Sequence, residues 1–193
     1  MADQEKQMKT YEHAVSSIEK IKFMREAGAV RRCHTIPIVG EYNLAIHKFN
    51  MLSMLRVLWP EASLFLVWAI IEHDIPERLT GDIPAPAKWL NLIDSESLSD
   101  LESDILIDTI NYDHGSALNE IEKKWLHGLD ILELALFCRD QIHIGNRNLE
   151  VMLDRIHKYI KKNGEKFHPK ILDTYWESSN HDWSFMPDLG DVS

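Results

Sequence analysis

The segment IIEHDIPERLTGDIPAPAK, residues 70–88, brings several chemically active side chains close together in the sequence. His73 and Asp74 follow an apolar run, and Glu77 and Asp82 come soon after them, among three prolines and one glycine. Imidazole and carboxylate groups bind divalent metal ions, and they also donate or accept protons during catalysis. The segment is therefore the first candidate for a functional site.

A His-Asp dipeptide alone carries little information, because about one is expected by chance in a chain with this many histidines and aspartates. His181-Asp182 near the end of the sequence is a second example. His73-Asp74 differs because it ends an apolar segment, so both side chains are expected at the edge of a dry core, where an unpaired charge is costly. A metal ion would offset this cost, and Zn²⁺, Mn²⁺, Co²⁺ and Fe²⁺ accept such ligands.

Two further polar residues are predicted to point into the same core. His47 lies on the apolar stripe of a predicted helix, and Asp130 lies on the apolar side of the run WLHGLDILELALF. Taken alone, His47 is better explained as a core histidine and Asp130 as a capping aspartate bonded to the backbone. Together with His73 and Asp74, they predict a metal site whose ligands come from separate helices.

The spacing of apolar residues predicts the helices that position these groups. One helix is predicted over 43–58, where Pro60 closes the pattern, and ASLFLVWAIIEH predicts a core helix that is apolar almost all round and ends near Asp74. The loop LTGDIPAPAK follows, because its glycine and prolines disfavour both helix and strand. Further helical patterns cover 96–111, 118–143 and 147–163.

The fold class predicted from these patterns is all-α. No segment alternates with the period of two residues that a strand requires, and no repeat divides the chain. We therefore expect one helical-bundle domain over 1–175. The final stretch, 176–193, contains Gly, Pro and Ser without helical spacing, and it is expected to form an extended C-terminal tail.

Composition excludes several classes of function. The chain has 193 residues and only two cysteines, which form no CxxC pair and predict neither a disulfide framework nor a structural zinc site. A net charge of -10 opposes binding to a phosphate backbone, so no nucleic-acid partner is expected. The sequence has neither a signal-peptide pattern nor an apolar run of ~18 to 20 residues. We therefore expect a soluble, cytoplasmic protein without a membrane partner, located in the host cytoplasm if a phage encodes it.

The order His47, His73-Asp74 and Asp130 on successive predicted helices resembles the H…HD…D metal site of the HD-domain phosphohydrolases, an all-α superfamily. The segment HDIPERLTGDIPAPAK resembles the longer pattern HDxxExxTGDxPxPxK, which is found in bacterial HD-domain 5′-deoxynucleotidases and in phage HD-domain deoxynucleoside triphosphohydrolases. The resemblance covers about residues 32–146, and it includes RCHTIP at the start and FCRDQIHIGN at the end.

Three positions depart from the family pattern. Ile46 stands where the family usually has a glutamate, and His127 stands where it commonly has a lysine. Cys33 replaces the aromatic residue that follows the arginine in many relatives. None of these substitutions removes a metal ligand, so they bear on the substrate rather than on the metal.

The resemblance implies a set of metal ligands, namely His47, His73, Asp74 and Asp130. The ion would be Zn²⁺, Co²⁺ or Mn²⁺, and a second ion, Mg²⁺, would accompany the substrate phosphates. Glu77 would orient or deprotonate the attacking water, and Asp82 would protonate the leaving oxygen or hold a catalytic water. Without the family pattern, Glu77 and Asp82 are equally explained as a helix-end residue and a turn residue.

The resemblance also implies residues that contact the substrate. Arg32 and Lys88 are the cations that would bind phosphate or a sugar hydroxyl, although either is also explained as a solvated surface charge. Pro86 belongs to an apolar rim beside the base, and Ile36 is expected to face that rim. Cys33 lies next to Arg32 and would contact the same part of the substrate.

The function that the resemblance implies is metal-dependent hydrolysis of deoxynucleotides. The segments RCHTIP and GDIPAPAKW favour a phage-type dNTP triphosphohydrolase that acts on a purine nucleotide such as dATP and gives the deoxynucleoside and tripolyphosphate. The alternatives are a dNMP 5′-nucleotidase that releases orthophosphate and a non-catalytic nucleotide-binding HD module. Relatives form dimers or larger rings, so a homo-oligomer is expected.

Overall fold

The computed structural model describes residues 15–84, 87 and 92–181, and in this part of the chain the fold is all-α, as predicted. Strand-like pairing in the same ranges amounts to one isolated bridge between Arg31 and Asn43. The helices are α1 Ser17–Ala27, α2 Leu44–Leu58, α3 Leu64–Glu72, α4 Glu77–Thr80, α5 Ser95–Ile110, α6 Glu120–His143, α7 Glu150–Lys162 and α8 Pro169–Asn180. Short 3-10 turns lie at Gly115–Ala117, Arg147–Leu149 and Gly164–Lys166.

Side-chain caps define where the helices of the core begin. Asn43 caps α2, and Ser63 caps α3, each by accepting a hydrogen bond from a backbone N–H in the first turn. Asn119 and Glu122 form a capping box at the start of α6. The Ser63 hydroxyl also donates to the Glu122 carboxylate, so the first turns of α3 and α6 are tied together.

The main core lies between α2, α3, α6, α7 and α8. Its fully buried side chains include Met51 on α2, Ile70 on α3, Leu129 on α6 and Ile171 on α8. Gly128 allows α6 and α8 to approach closely, because a Cβ atom at this position would lie 3.0 Å from the Ile171 side chain. The long helix α6 is therefore the central element of the bundle.

Helix α3 ends at Glu72, close to the predicted end near Asp74, but it is not buried all round as its sequence indicated. Its exposed face consists of Leu64, Phe65 and Trp68, which are 70%, 49% and 45% exposed. A single helix buries only the side that meets its neighbours, and α3 packs against α2 and α6.

None of the described helices is both long enough and apolar enough to cross a membrane.

The chain forms another helical turn immediately after Pro76, and the last two residues of this turn, 79–80, belong to the segment that the sequence assigned to a loop. Pro76 precedes α4, a position that proline tolerates because the first turn of a helix needs no N–H donor from it. Gly81 ends α4 with a φ of 73°, a left-handed conformation that glycine adopts without strain. The turn directs Glu77 inwards, and Glu77 is only 8% exposed.

Two further helices, α1 and α8, were not predicted. Helix α1 begins with a capping box formed by Ser16 and Glu19. Helix α8 continues to Asn180, so residues 176–180, the first part of the predicted C-terminal tail, are helical. The buried residues of α8 begin at Ile171, before residue 176. The helical spacing therefore cannot be recognised from the sequence after residue 176 alone. The rest of the tail, 182–193, lies outside the described residues.

Candidate metal centre and pocket

The structure brings the four predicted metal ligands together from three helices. His47 lies on α2 and is fully buried, His73 and Asp74 follow the last turn of α3, and Asp130 lies in the middle of α6. Ligand atoms of His47, His73 and Asp74 all lie within 4.8 Å of one another. Asp130 borders this group, with its Oδ1 atom 3.2 Å from His47 Nε2.

In both histidines, Nδ1 contacts an oxygen acceptor, and Nε2 faces the other predicted metal ligands. His73 Nδ1 lies 2.9 Å from the carbonyl oxygen of Ile70, and His47 Nδ1 lies 2.6 Å from Glu133 Oε2. When Nδ1 donates to these oxygens, the lone pair of each neutral ring is on Nε2. The two Nε2 atoms are buried and make no hydrogen bond within the described part of the chain. Histidines that bind metals are held in this way.

Glu133 is a component of the site that the sequence analysis did not identify. Its carboxylate is 2% exposed, accepts hydrogen bonds from the Tyr42 hydroxyl and Asn50 Nδ2, and contacts His47 Nδ1. Burial raises the pKa of Tyr42, and the Glu133 charge raises it further, so the Tyr42 hydroxyl keeps its proton and donates. A glutamate three residues after Asp130, inside an apolar run, was the available signal.

Arg32 joins two of the carboxylates. Its Nη1 atom lies 2.6 Å from Asp74 Oδ2, and its Nη2 atom lies 3.1 Å from Asp130 Oδ1. Burial raises the pKa of Asp74, but its interactions with His73, Arg32 and His47 outweigh burial and hold that pKa well below its usual value. The pKa of Asp130 is likewise lowered, by His47 and Arg32 acting against burial. Both carboxylates are therefore ionised at neutral pH, as metal ligands must be.

A cavity of about 420 Å³ opens beside these groups. Its acidic lining consists of Asp74, Glu77, Asp82 and Asp130. Its apolar lining includes Ile36, Ile83, Pro84, Ile131, Leu134, Val151, Met152 and Ile156. A concave, mostly apolar pocket with a few convergent charged groups is typical of a site for a small molecule.

Cys33 and Asp82 meet at the wall of the pocket. The Cys33 backbone N–H donates to Asp82 Oδ2 at 3.2 Å, and Cys33 has a φ of 53°, which is unfavourable for a residue with a side chain. Such backbone strain is common at functional sites. Burial raises the pKa of the Cys33 thiol to about 11, so the thiolate required of a nucleophile is not formed at neutral pH.

The other predicted substrate contacts are only partly covered by the structure. Arg32, Cys33 and Ile36 line the pocket, whereas Pro86 and Lys88 lie outside the described residues. His127, at the position of the family's lysine, also lines the pocket. Burial lowers the pKa of His127, so this side chain is neutral at pH 7 and does not replace the positive charge of a lysine.

Comparison with known proteins identifies solved structures with a similar fold. No protein-family model matches the sequence, and no curated protein matches it. The HD phosphohydrolase DatZ of cyanophage S-2L, solved with dA and one catalytic Zn²⁺ ion, has a similar structure, with a TM-score of 0.58 and 13% sequence identity over 85% of this chain and 96% of DatZ. A conserved hypothetical protein from Pyrococcus furiosus is also similar, with a TM-score of 0.57 and 20% identity over 76% of this chain and 98% of its own.

Both similarities extend over most of this chain and over nearly all of the other protein. The chain has the fold of the HD-domain phosphohydrolases. The sequence identities are low, so they identify the fold and leave the substrate and the reaction to be argued from the site.

Proposed function

We propose that the protein is a metal-dependent phosphohydrolase of deoxynucleotides, and that it acts as a dNTP triphosphohydrolase on a purine nucleotide such as dATP. The observation that carries the proposal is the group His47, His73 and Asp74, whose ligand atoms converge beside a pocket that also contains Glu77 and Asp82. A non-catalytic binding module would not need these two further carboxylates.

The donor set fits one divalent transition metal, which we propose to be Zn²⁺, Co²⁺ or Mn²⁺. Two imidazole Nε2 atoms and the Asp74 carboxylate would hold the ion, and Asp130 would complete the set. Borderline metals accept this mixture of nitrogen and oxygen ligands. A bound ion of this kind lowers the pKa of water towards ~7 and offsets charge on the attacked phosphate. A second ion, Mg²⁺, is expected to arrive with the substrate phosphates.

The protein's own residues would carry the proton transfers. Glu77 orients the attacking water and accepts its proton while the bond between the α-phosphorus and the sugar 5′-oxygen breaks. Asp82 donates a proton to that oxygen or holds a water that does so. The products of one dNTP and one water are then the deoxynucleoside and an intact tripolyphosphate.

The apolar part of the pocket supports a nucleobase as the other end of the substrate. Ile36, Ile83 and Pro84 lie on one side of it, and Leu134 and Met152 come from α6 and α7. A purine is a flat, largely apolar group that such surfaces bind well. The similar protein DatZ was solved with dA, which makes a deoxyadenosine nucleotide the first substrate to test.

The product distribution tests the proposal directly. The metal-loaded protein should be incubated with each dNTP, dNMP and rNTP, and the phosphate products should be identified by ion chromatography. Tripolyphosphate and deoxynucleoside from a purine dNTP are the expected result. If no nucleotide is hydrolysed while the metal remains bound, the protein is a binding module and the proposal is wrong.

The second candidate function is that of a dNMP 5′-nucleotidase, and the residue that favours it is His127. His127 is neutral where the family commonly has a lysine, so the pocket has less positive charge for a triphosphate. Orthophosphate released from dNMPs, with dNTPs inert, would select this candidate.

We also propose that Lys88 binds the β- or γ-phosphate, because it follows Asp82 by only six residues in the sequence. Lys88→Ala should raise KM for a dNTP about 10- to 100-fold, the loss expected for a charge-assisted contact. KM for the matching dNMP should change much less. Equal effects on the two substrates would contradict this role.

We propose that the protein forms a homo-oligomer, since two helices present apolar side chains to solvent. The exposed residues are Ile46, Phe49 and Val57 on α2, and Leu64, Phe65 and Trp68 on α3. Exposed apolar surface of this kind often lies in a subunit interface. Light scattering coupled to size-exclusion chromatography should give a mass of at least two chains, and Phe49→Glu should lower it.

A further inference from the structure

Arg155 on α7 lines the pocket and has no part in the proposed proton transfers or in metal binding. The other arginine of the described lining, Arg32, contacts Asp74 and Asp130. Arg155 is exposed, and among the residues that the structure describes it forms no ion pair with a carboxylate. An arginine without a carboxylate partner at the edge of an acidic pocket has its donors available for a ligand.

The position of Arg155 is set by its neighbours on α7. Tyr159 also lines the pocket, and its hydroxyl oxygen lies 3.1 Å from His127 Nε2. His127 lies three residues before Asp130 on α6, so this contact places the Tyr159 hydroxyl about one helical turn along α6 from Asp130. Arg155 is four residues earlier on the same face, which is a separation of about 6 Å along the helix axis. It is therefore near the metal centre but not part of it.

The charge balance of the pocket indicates what Arg155 would bind. The described lining has four carboxylates, on Asp74, Glu77, Asp82 and Asp130, and two guanidinium groups. One divalent cation would bring these charges close to neutrality. A triphosphate adds about three or more negative charges, and each needs a nearby donor or cation if it is to bind in an acidic pocket. His127 is neutral and does not supply one.

We infer that Arg155 binds the phosphates of a triphosphate beyond the α-phosphate, and so selects triphosphates over monophosphates at the proposed active site. This inference rests on the proposed function, because it assumes that the α-phosphate lies at the metal centre. The exposed position of Arg155 suits a polyphosphate, which stays partly hydrated, whereas the apolar part of the pocket suits the base. A guanidinium group contacts phosphate oxygens in a bidentate manner.

The test measures binding of inorganic tripolyphosphate, so it does not depend on turnover. Calorimetric titrations should compare the wild type with Arg155→Ala and Arg155→Lys, each loaded with one metal equivalent that is verified after the titration. Arg155→Ala should weaken tripolyphosphate binding about 10- to 100-fold, because a charge-assisted contact is lost. Arg155→Lys should recover part of the loss. Orthophosphate binding should change less than about threefold in both variants.

Lys158→Ala is the matched control. Lys158 lies on the same helix, pairs with Asp154 at 2.6 Å and is outside the described lining of the pocket. Its loss removes one positive charge and should leave tripolyphosphate binding unchanged. An equal effect of Lys158→Ala and Arg155→Ala would mean that only the general charge of α7 matters, and it would overturn the inference.

Steady-state kinetics separates the remaining alternatives. Arg155→Ala should raise KM for the dNTP far more than KM for the dNMP. Equal increases for both substrates would move Arg155 to the base or the sugar and overturn the inference. A wild type that binds no tripolyphosphate would overturn it as well. A wild type that binds tripolyphosphate through Arg155 but hydrolyses no nucleotide would refute the proposed function and leave the inference standing.

Discussion

Two neighbouring residues at the end of α3 belong to two different histidine–carboxylate clusters. Glu72 contacts His114 in the segment between α5 and α6, with Oε2 2.8 Å from His114 Nδ1. His73 turns towards α2 and α6, where His47 contacts Glu133 at 2.6 Å. Successive residues on a helix differ in direction by about 100°, so adjacent side chains reach separate surroundings.

Both clusters contain a histidine–carboxylate pair, but they differ in whether the imidazole nitrogens have hydrogen-bond partners. Glu72 accepts bonds from both the backbone N–H and the ring of His114, and that ring packs against the rings of Tyr112 and Phe65. The His47 cluster instead leaves two imidazole nitrogens without hydrogen bonds and directs them to shared carboxylates. Within the described ranges, only this second cluster has the convergent donors that a metal ion needs. A histidine–carboxylate contact is therefore a weak sign of a metal site, whereas converging unsatisfied donors are a strong one.

The largest effect should come from removing a proposed ligand. Asp74→Ala should reduce the metal content of the purified protein from about one ion per chain to nearly none, and phosphohydrolase activity should be lost with it. Elemental analysis measures the metal, and Glu72→Gln is the control that keeps it. A wild type that is active without any metal would contradict the assignment of the His47 cluster as a catalytic metal site.

Glu77 should affect turnover rather than the metal. Glu77→Gln should lower kcat by about 10²-fold or more, the scale for losing a positioned acid–base group, while the metal content stays unchanged. Thermal unfolding monitored by circular dichroism provides the check on folding. Normal turnover combined with a large fall in the melting temperature would show that Glu77 is only a structural residue of α4.

Glu133 should affect the affinity for the metal through His47. Glu133→Gln weakens the hold on the Nδ1–H donor of that ring, and the metal affinity should fall about 10- to 100-fold. Competition with a chelator measures the affinity, and the absorption spectrum of the Co²⁺-loaded protein reports a change in coordination. Glu122→Gln is the matched control, because Glu122 is also a buried carboxylate on α6 but is bonded to Ser63. Equal metal affinity in both variants would contradict the role of Glu133.

The smallest effect is expected in the cluster of Glu72 and His114. Glu72→Gln keeps the shape of the side chain but loses a charge-assisted bond to His114, which should lower the free energy of unfolding by about 1 to 2 kcal/mol. Chemical denaturation measures this change, and the metal affinity should remain that of the wild type. If Glu72→Gln weakens metal binding as much as Glu133→Gln does, the two clusters are coupled and the distinction fails.

The local sequence was sufficient for most of the helices. Apolar periodicity predicted α2, α5, α6 and α7 to within a few residues, because the hydrophobic face of a helix repeats every 3.6 residues. Periodicity was less informative for α3 and α8. The sequence of α3 does not tell which of its apolar faces meets a neighbour, and the buried positions of α8 begin before the segment that was taken for a tail.

The sequence by itself determined the all-α class, the net charge of -10 and the residue types at the site, because these depend on local periodicity and on composition. Only the tertiary structure decided which histidine is held by Glu133 and which is occupied by Glu72, since Glu133 is 86 residues from His47 and Glu72 is 42 residues from His114. It also decided that Arg155 lines the same pocket as Asp74. Contacts across such separations depend on how the helices pack, and helix packing is set by the fit of whole surfaces rather than by any short pattern in the chain.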